Sequence, residues 1–445
     1  MSRLSSHGFL LAAMTVCFAA TEAAENTIED FKLTAVRPAC QDGVVVNPSE
    51  VPAPSTVAAK SDAVDKSSAV GGEQEAKPDA SNLHSDDATQ RAKAALALGQ
   101  CDKLSPGEQK ALLTLLNDES PEVRWNAAYA LGEAGSRNVP TVERLIRMLR
   151  DPQPRVAANA AQSLGKLGAI DAVEPLAQTL GHDDWRVRWV TAMALGAFGE
   201  RASSAVPALL TALRDTESNV RAAAARSVGQ IGEAARGATN ELLRVAREPD
   251  ASVSGPALGA LGAIGANAPE VTALLLAGLQ NADPARQLNA AFALGKVGKS
   301  VPQAVPALVS SLDGVHPSVR LFAARALGEL GRQSVNAIPS LLVMEGEDDP
   351  LLRLTATASL IRIVRELRQP GEHTTSNTEA LIAALTSSTP AVVAETALTL
   401  EAIGPAASEA IAPLHRVLPS ASAPVSRVLN RAIARIGACS ITQGE

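Results

Sequence analysis

Apolar residues recur along most of the chain with the spacing of one face of an α-helix. Counting from Val123, the residues 4, 7, 8 and 11 positions later are Ala127, Ala130, Leu131 and Ala134, which share one helical face. Equivalent positions elsewhere in the chain are again small or apolar. This pattern predicts a series of helices, each with one face packed in a core.

One short run of sequence carries the recurrence. It contains Val-Arg, several alanines, Leu-Gly, and a second Gly three residues later. The first of the two glycines recurs every 33 residues, with one step of 31, at Gly99, Gly132, Gly165, Gly196, Gly229, Gly262, Gly295 and Gly328. Such a period indicates a repeat protein in which each unit buries its core only against its neighbours.

Each period divides into two predicted helices. The first is short and often carries Pro in its first turn, where the missing N–H is tolerated. The second begins after a turn, for example at Ser120-Pro121 or Asp349-Pro350. The last Gly of the run is expected to end this helix in the left-handed conformation, and the first Gly and the alanines to let neighbouring helices approach closely.

The repeated run resembles the HEAT repeat, in the short form of the phycobilisome-lyase HEAT-like group, over about residues 86–438. The resemblance implies an all-α fold, a right-handed alpha-alpha superhelix of about ten to eleven helix pairs, with the second helices on its concave side. Beyond Leu360 the register loosens. The extra residues, 369–378, are expected to project as a loop.

The two ends of the chain have a different character. Residues 1–24 contain Arg3, then an apolar run over residues 9–20, then small residues, as in a secretory signal peptide. Residues 25–85 are acidic and rich in Pro, Ser and Ala, which predicts a disordered, flexible linker. Residues 439–445 are interpreted as a short tail. We therefore expect an exported protein, periplasmic or extracellular.

Composition and charge narrow the range of partners. Hydrophobic residues make up 46% of the chain but aromatic residues only 2%, which suits thin layers of closely packed helices. The first 88 residues carry 13 acidic and 6 basic side chains, so the remainder carries 34 of each and the formal charge of −7 lies before the repeats. A body without a basic excess argues against a nucleic-acid partner.

The spacing of the cysteines indicates neither a disulfide framework nor a metal site. Without the predicted signal peptide the chain keeps Cys40, Cys101 and Cys439, an odd number at unrelated spacings. A bridge between Cys40 and Cys101 is one interpretation. Small apolar fillers or an unpaired thiol are the other.

No catalytic, cofactor-binding or metal-binding residue is predicted. Deoxyhypusine hydroxylase, which resembles this chain in its repeats, holds iron with His-Glu dipeptides, a ligand set that suits non-haem iron. This sequence has none, and Glu372-His373 is reversed and alone. A bilin lyase is a second enzymatic alternative, which the predicted export fits poorly.

Two patterns of side chains remain as candidate sites. Acidic and Arg residues near the turn between the helices predict a hydrogen-bonded ladder between repeats, namely Asp118 with Arg124, Asp215 with Arg221, and Asp348 with Arg353. Large side chains fall on the face of the second helices that the helical wheel leaves exposed, namely Trp125, Tyr129, Trp189, Met193, Arg226, Phe292, Phe322 and Arg325. Because Trp, Tyr and Arg anchor interfaces, we interpret these eight as a concave ridge that binds a partner protein or peptide. The alternatives are that they pack over adjacent helices, or that they bind an extracellular polymer.

Overall fold

The computed structural model describes residues 80–101, 103–368 and 375–437, and these are helical without any β-strand. The chain divides into two compact units on either side of residue 241. The N-terminal unit is described over residues 80–241 and the C-terminal unit over residues 242–437. The predicted signal peptide, most of the predicted linker, Cys40, Cys439 and the C-terminal tail lie outside the described residues.

The helices of the N-terminal unit alternate between short first helices and longer second helices. They are α1 (Ala88–Leu98), α2 (Pro106–Leu115), α3 (Pro121–Glu133), α4 (Val139–Met148), α5 (Pro154–Leu167), α6 (Val173–Thr179), α7 (Trp185–Gly196), α8 (Val206–Ala212) and α9 (Ser218–Ile231). The next helix, α10 (Thr239–Ala246), begins at the end of this unit and continues into the other.

The C-terminal unit continues the same alternation. Its further helices are α11 (Ala251–Ala263), α12 (Pro269–Leu279), α13 (Pro284–Val297), α14 (Ala304–Leu312), α15 (Pro317–Leu330), α16 (Ile338–Glu345), α17 (Pro350–Leu367), α18 (Thr375–Ala384), α19 (Pro390–Ile403), α20 (Ile411–Val417) and α21 (Ala423–Gly437). Within each unit the odd-numbered helices, which are the second helices, pack side by side. The described residues thus hold ten helix pairs preceded by α1, in agreement with the predicted ten to eleven.

The core follows the predicted helical face. Val123, Ala127, Ala130 and Leu131 are fully buried, whereas Ala134, at the end of α3, is only half-buried. In later repeats the residue at the position of Ala134 is larger and buried, as at Ile264. The apolar period therefore predicted the core of α3 correctly except at its last position.

The two glycines of the repeats act as the sequence predicted, with one exception at Gly298. The second Gly otherwise has a positive φ, for example +59° at Gly168, which a residue with a side chain rarely adopts, whereas Gly298 follows α13 with a φ of −68°. The first Gly lies where two second helices meet. A Cβ on Gly165 would stand 2.9 Å from the Cα of Ala194, and one on Gly262 would stand 2.3 Å from the Cα of Ala293.

Helix starts agree with the predicted signals in one case and differ in the other. The carboxylate of Asp349 accepts hydrogen bonds from the backbone N–H groups of Leu351 and Leu352 at the start of α17. Ser120 precedes α3 at the N-cap position, but its side chain makes no capping hydrogen bond.

Two predicted boundaries need correction. Residues Ala80–His84, assigned to the linker, form a 3-10 helix in which Leu83 is buried, so the folded part begins before residue 86. The end of the predicted loop at 369–378 is helical, because α18 begins at Thr375 and Thr378 is buried. Residues 369–374 lie outside the described structure.

Candidate functional site

A ladder of charged side chains links three pairs of successive repeats in the N-terminal unit. At α5 the Arg position is taken by Ala157. The guanidinium of Arg188, on α7, donates Nε and Nη2 to the two carboxylate oxygens of Asp215, 27 residues later, at 2.7 and 2.8 Å. Its Nη1 donates to the carbonyl oxygens of His182 and Asp183 in the turn before α7. Each Arg therefore ties its own turn to the turn of the next repeat.

The same arrangement recurs at two more steps of this unit. Arg91 pairs with Asp118, and Arg124 pairs with Asp151, again 27 residues apart. The prediction of an inter-repeat ladder is confirmed, although the pairing differs in detail. Arg124 contacts Asp118 through the backbone carbonyl, while the Asp118 carboxylate is bound by Arg91 of the preceding repeat.

The ladder lowers the pKa of two of its carboxyl groups. Burial opposes ionisation of Asp215, but hydrogen bonds from Arg188 and from the Glu217 backbone N–H outweigh it, and the pKa of Asp215 is lowered. Burial and the hydrogen bonds from Arg91 and Ser120 act on Asp118 in the same way, so the pKa of Asp118 is also lowered. Both groups are therefore anionic at neutral pH, as a structural ion pair requires.

The predicted exposure of the ridge is wrong for three of its eight residues. Trp125 is only 6% exposed, because the Arg155 guanidinium of the next second helix lies over its indole, 4.1 Å from the ring centre. Phe322 and Arg325 are each 8% exposed, and the Arg325 Nε donates to Glu329 one turn further along α15. These three side chains are buried and do not present a surface to a partner.

The remaining ridge residues are accessible, but they fall in different units. Tyr129, Trp189 and Met193 are half-buried and Arg226 is exposed, all in the N-terminal unit. Phe292, half-buried beside the Lys296 ammonium at 5.7 Å, belongs to the C-terminal unit.

Within the N-terminal unit the accessible residues form a stripe across four second helices. Tyr129, Gln162, Met193 and Arg226 occupy equivalent positions of α3, α5, α7 and α9, and Trp189 lies one helical turn before Met193. Because these helices pack side by side in that order, the five residues line one continuous face. We call these five residues the second-helix stripe.

Charged and aromatic groups at the ends of the stripe are held in place. The Tyr129 ring lies close to Gly99, which follows α1, and 5.8 Å from the Lys166 ammonium, and Lys166 pairs with Glu133. Burial, with a smaller contribution from Glu133, raises the pKa of Tyr129, so its hydroxyl stays protonated.

Arg226 lies at the other end of the stripe. Surrounding protein desolvates its guanidinium and lowers the pKa of Arg226, although the side chain is exposed. An arginine begins so far above neutral pH that it remains cationic. The stripe therefore combines apolar surface with one accessible positive charge.

Sequence reasoning missed Gln162 and Lys166. Gln162 is neither aromatic nor charged, and only its equivalence to Tyr129 in the repeat register could have placed it on the stripe. Lys166 lies four residues after Gln162, and its contact with Glu133 of the preceding repeat was visible in the sequence as a 33-residue spacing of opposite charges.

Other kinds of site have no counterpart in the described residues. Among them, no group of three His, Cys, Asp or Glu side chains is placed to hold a metal ion. Cys101 has a free, half-buried thiol near the carbonyl oxygen of Ala97. Across residues 80–101, 103–368 and 375–437, none of the helices combines the length and apolar character needed to cross a membrane.

Several solved structures of other proteins are similar to this chain. An engineered protein is 23% identical over 80% of this chain and 97% of its own, with a TM-score of 0.46. The complex of CpcE and CpcF of phycocyanin lyase from Nostoc sp. PCC7120 is 27% identical over 60% of this chain and 98% of that chain, with a TM-score of 0.36. Importin beta is 15% identical over 80% of this chain and 56% of its own, with a TM-score of 0.45.

The family is established by sequence. No curated protein sequence gives a significant match to the chain. The family model of HEAT repeats matches residues 80–145, 110–188, 142–216, 173–262, 206–286 and 272–361. These overlapping matches cover residues 80–361 continuously, which is more than half of the sequence, and they coincide with the alternating helices of both units. This chain therefore belongs to the HEAT-repeat family.

Proposed function

We propose that the chain is a non-catalytic scaffold that binds a partner protein or peptide on the second-helix stripe of its N-terminal unit. The observation that carries this proposal is the placement of Trp189 and Met193, large side chains that remain half-exposed in a unit built mainly of Ala, Leu and Val. Trp and Met are enriched at interfaces, where their large or adaptable surfaces provide contact area.

The chemistry of the stripe suggests what the partner presents. Trp189 and Met193 lie one turn apart on α7 and offer adjacent apolar surface, while Arg226 on α9 offers a cation. A polypeptide with an apolar anchor and a nearby carboxylate would match both features. The ladder and the close contacts between second helices hold this face in a preformed arrangement, which limits the entropy lost on binding.

We further propose that the scaffold acts outside the cytoplasm, where the predicted signal peptide would direct it. The partner would then be another exported protein. Binding along the face of a HEAT array needs no cofactor, and the proposal assigns none.

Partner binding by variants of the full chain tests this function. The protein and its variants are immobilised and exposed to the exported fraction of the source organism. We expect Trp189→Ala with Met193→Ala to reduce the captured partner at least tenfold, because loss of one or two anchors typically costs about 2 kcal/mol or more. Arg226→Glu is expected to reduce it as well, by reversing the charge that meets the partner.

Arg147→Glu is the matched control. Arg147 is exposed on the first helix α4, away from the stripe, and its substitution changes the charge by the same amount. All variants should keep the helical circular-dichroism spectrum of the original protein. Retention of the partner by both stripe variants would place the binding surface elsewhere and refute this assignment.

A further inference from the structure

A cleft in the C-terminal unit lies where the inter-repeat ladder is interrupted. It has a volume of about 460 Å³, within the range of about 300–1,000 Å³ typical of ligand sites. Its lining comes from α12, α13, α14, α15 and the turns between them, and it includes Gln280, Gln287, Ser310, Gly314 and His316. None of the lining residues is Lys, Arg, Asp or Glu.

The repeat register shows that the ladder ion pair is missing at this cleft. Gln287 occupies the position that Arg188 holds in the N-terminal unit, and Gly314, 27 residues later, occupies the position of Asp215. Both partners of the ladder are therefore replaced by residues that cannot form the ion pair. Beside Gly314, Val315 is 91% exposed, which leaves the turn uncovered.

The backbone of the interrupted step keeps the acceptors that a guanidinium binds elsewhere. At a complete step, the Arg donates to the carbonyl oxygens six and five residues before it, as Arg188 does to His182 and Asp183. The equivalent carbonyls at the interrupted step belong to Asn281 and Ala282. In the described part of the chain no side chain donates a hydrogen bond to either of them.

At the preceding step of the same unit, an arginine from another position makes one of the hydrogen bonds that the ladder Arg makes elsewhere. There Ser254 replaces the ladder Arg, and Arg286 of the next second helix donates Nε to the Ser254 hydroxyl oxygen and Nη2 to the carbonyl oxygen of Glu248, six residues before Ser254. At the interrupted step the residue equivalent to Arg286 is Val319, which has no donor.

The charges around the cleft favour a cation. Asp313 is exposed immediately before Gly314, and Asp283 follows Ala282 with its carboxylate at the start of α13. The arginines next in sequence to the lining residues Gln287 and Val319 are engaged away from the cleft, because Arg286 binds the preceding repeat and Arg320 pairs with Glu347 of the following one. A guanidinium entering the cleft would therefore meet the Ala282 backbone and polar side chains, with Asp283 and Asp313 next in sequence to lining residues and no Lys or Arg in the lining.

We propose that this cleft binds the arginine side chain of a partner polypeptide, which completes the interrupted ladder from outside the chain. The inference rests on the proposed scaffold function and adds a second contact region, in the C-terminal unit, with a stated partner chemistry. The guanidinium would donate to the carbonyl oxygen of Ala282, which lines the cleft, and to that of the preceding residue, Asn281, in the manner of the ladder arginines. The Gln287 side-chain oxygen offers a further acceptor.

The test uses Nα-acetyl-arginine amide as the probe, observed by saturation-transfer NMR on the full chain. The neutral isostere Nα-acetyl-citrulline amide is the comparison ligand. We expect the arginine probe to give at least a fivefold stronger signal than the citrulline probe, because only the charged group is drawn to the carboxylates. Equal signals from the two probes would overturn the proposal.

Variants that fill the cleft locate the binding. Gln287→Arg places a guanidinium of the chain's own at the vacant step and should abolish the arginine signal. Ser310→Phe, a change at an exposed position of α14 that lines the cleft, should do the same by occlusion, and serves if the first variant fails to fold. Asn336→Arg adds the same charge at an exposed position outside the cleft lining and should keep the signal. An unchanged signal in a folded cleft variant would refute the assignment.

Two further measurements separate this inference from the proposed function. Free arginine is compared with the capped probe, and stronger binding of the free amino acid would indicate a small-molecule site and contradict the polypeptide assignment. Capture of the partner by the Gln287→Arg variant is then compared with its capture by the original protein. Probe binding without any captured polypeptide would refute the scaffold function but support the cation site. Capture of a polypeptide without probe binding would support the scaffold function but refute the cation site.

Discussion

Gly262→Ala is expected to destabilise the C-terminal unit by about 3 kcal/mol, the upper part of the range for overpacking a core. In an ordinary helix interior the same change stabilises, by about 1 kcal/mol, because Ala has the higher helix propensity. In this unit the new Cβ would stand 2.3 Å from the Cα and 2.6 Å from the Cβ of Ala293 on the neighbouring second helix. Since the nearest atom is backbone, the helices α11 and α13 must separate.

Chemical denaturation followed by circular dichroism measures this effect. Gly437→Ala is the control, because Gly437 is also helical and a Cβ there meets nothing within 4 Å. It should change the stability of the unit by less than about 0.5 kcal/mol. Removing the opposing Cβ with Ala293→Gly should rescue Gly262→Ala only in part. A Gly262→Ala protein as stable as the original would show that the second helices are not in the close contact described.

Arg188→Ala should cost the N-terminal unit about 2 kcal/mol. That is less than the loss for a fully buried ion pair broken on one side, because both side chains retain some exposure. The change leaves the Asp215 carboxylate and the carbonyls of His182 and Asp183 without their donor. Arg188→Lys should recover little, because an ammonium cannot reproduce the planar set of four hydrogen bonds.

The pH dependence of stability gives an independent check on this ion pair. The pKa of Asp215 in the folded state is lowered from its ordinary value of 3.8. Its contribution to stability is therefore full above that value and is lost as the pH falls from there through the lower pKa of the folded state. Arg188→Ala should remove part of this acid-induced loss, so the two proteins should converge in stability as the solution becomes more acidic.

Arg236→Ala is the control for the ladder variant, because Arg236 is exposed and its contact with exposed Glu233 is 3.6 Å long. Loss of such a surface pair changes stability little. A cost for Arg188→Ala no larger than that of Arg236→Ala would contradict the structural role of the ladder.

The sequence predicted those features of the fold that repeat. The 33-residue period placed Val123, Ala127 and Leu131 in the core, and it distinguished the first Gly of each repeat, at the helix contact, from the second, at the helix end. The core face depends on the residues of one helix, and the close helix contact depends on equivalent residues in successive repeats. Both can be found in a single periodic sequence.

The exposure of the ridge depends on contacts that a helical wheel does not contain. Trp125 lies on the outward face of its own helix, yet it is covered by Arg155, which belongs to the next repeat and precedes the Val where other repeats have an Arg after it. Phe322 is likewise buried although the wheel places it outward. Side-chain length on the neighbouring helix decides these cases, and the apolar period carries no signal for it.

The cleft beside Gln287 was accessible to the same register argument and was not predicted. The missing ladder residues were visible in the sequence, because Gln287 stands where the ladder has Arg and Gly314 where it has Asp. Its volume and the direction of Arg286 follow only from three-dimensional packing.

Site-specific photo-crosslinking in the source organism tests the central claim, partner binding on the second-helix stripe, most directly. A benzoylphenylalanine replaces Trp189 on the stripe of α7, and in a parallel protein it replaces Arg147 on the outer face of α4, where it is exposed. We predict a discrete crosslinked product of one exported protein from position 189 and none from position 147. A crosslink of the same protein from position 147 and none from position 189 would contradict the proposed binding face.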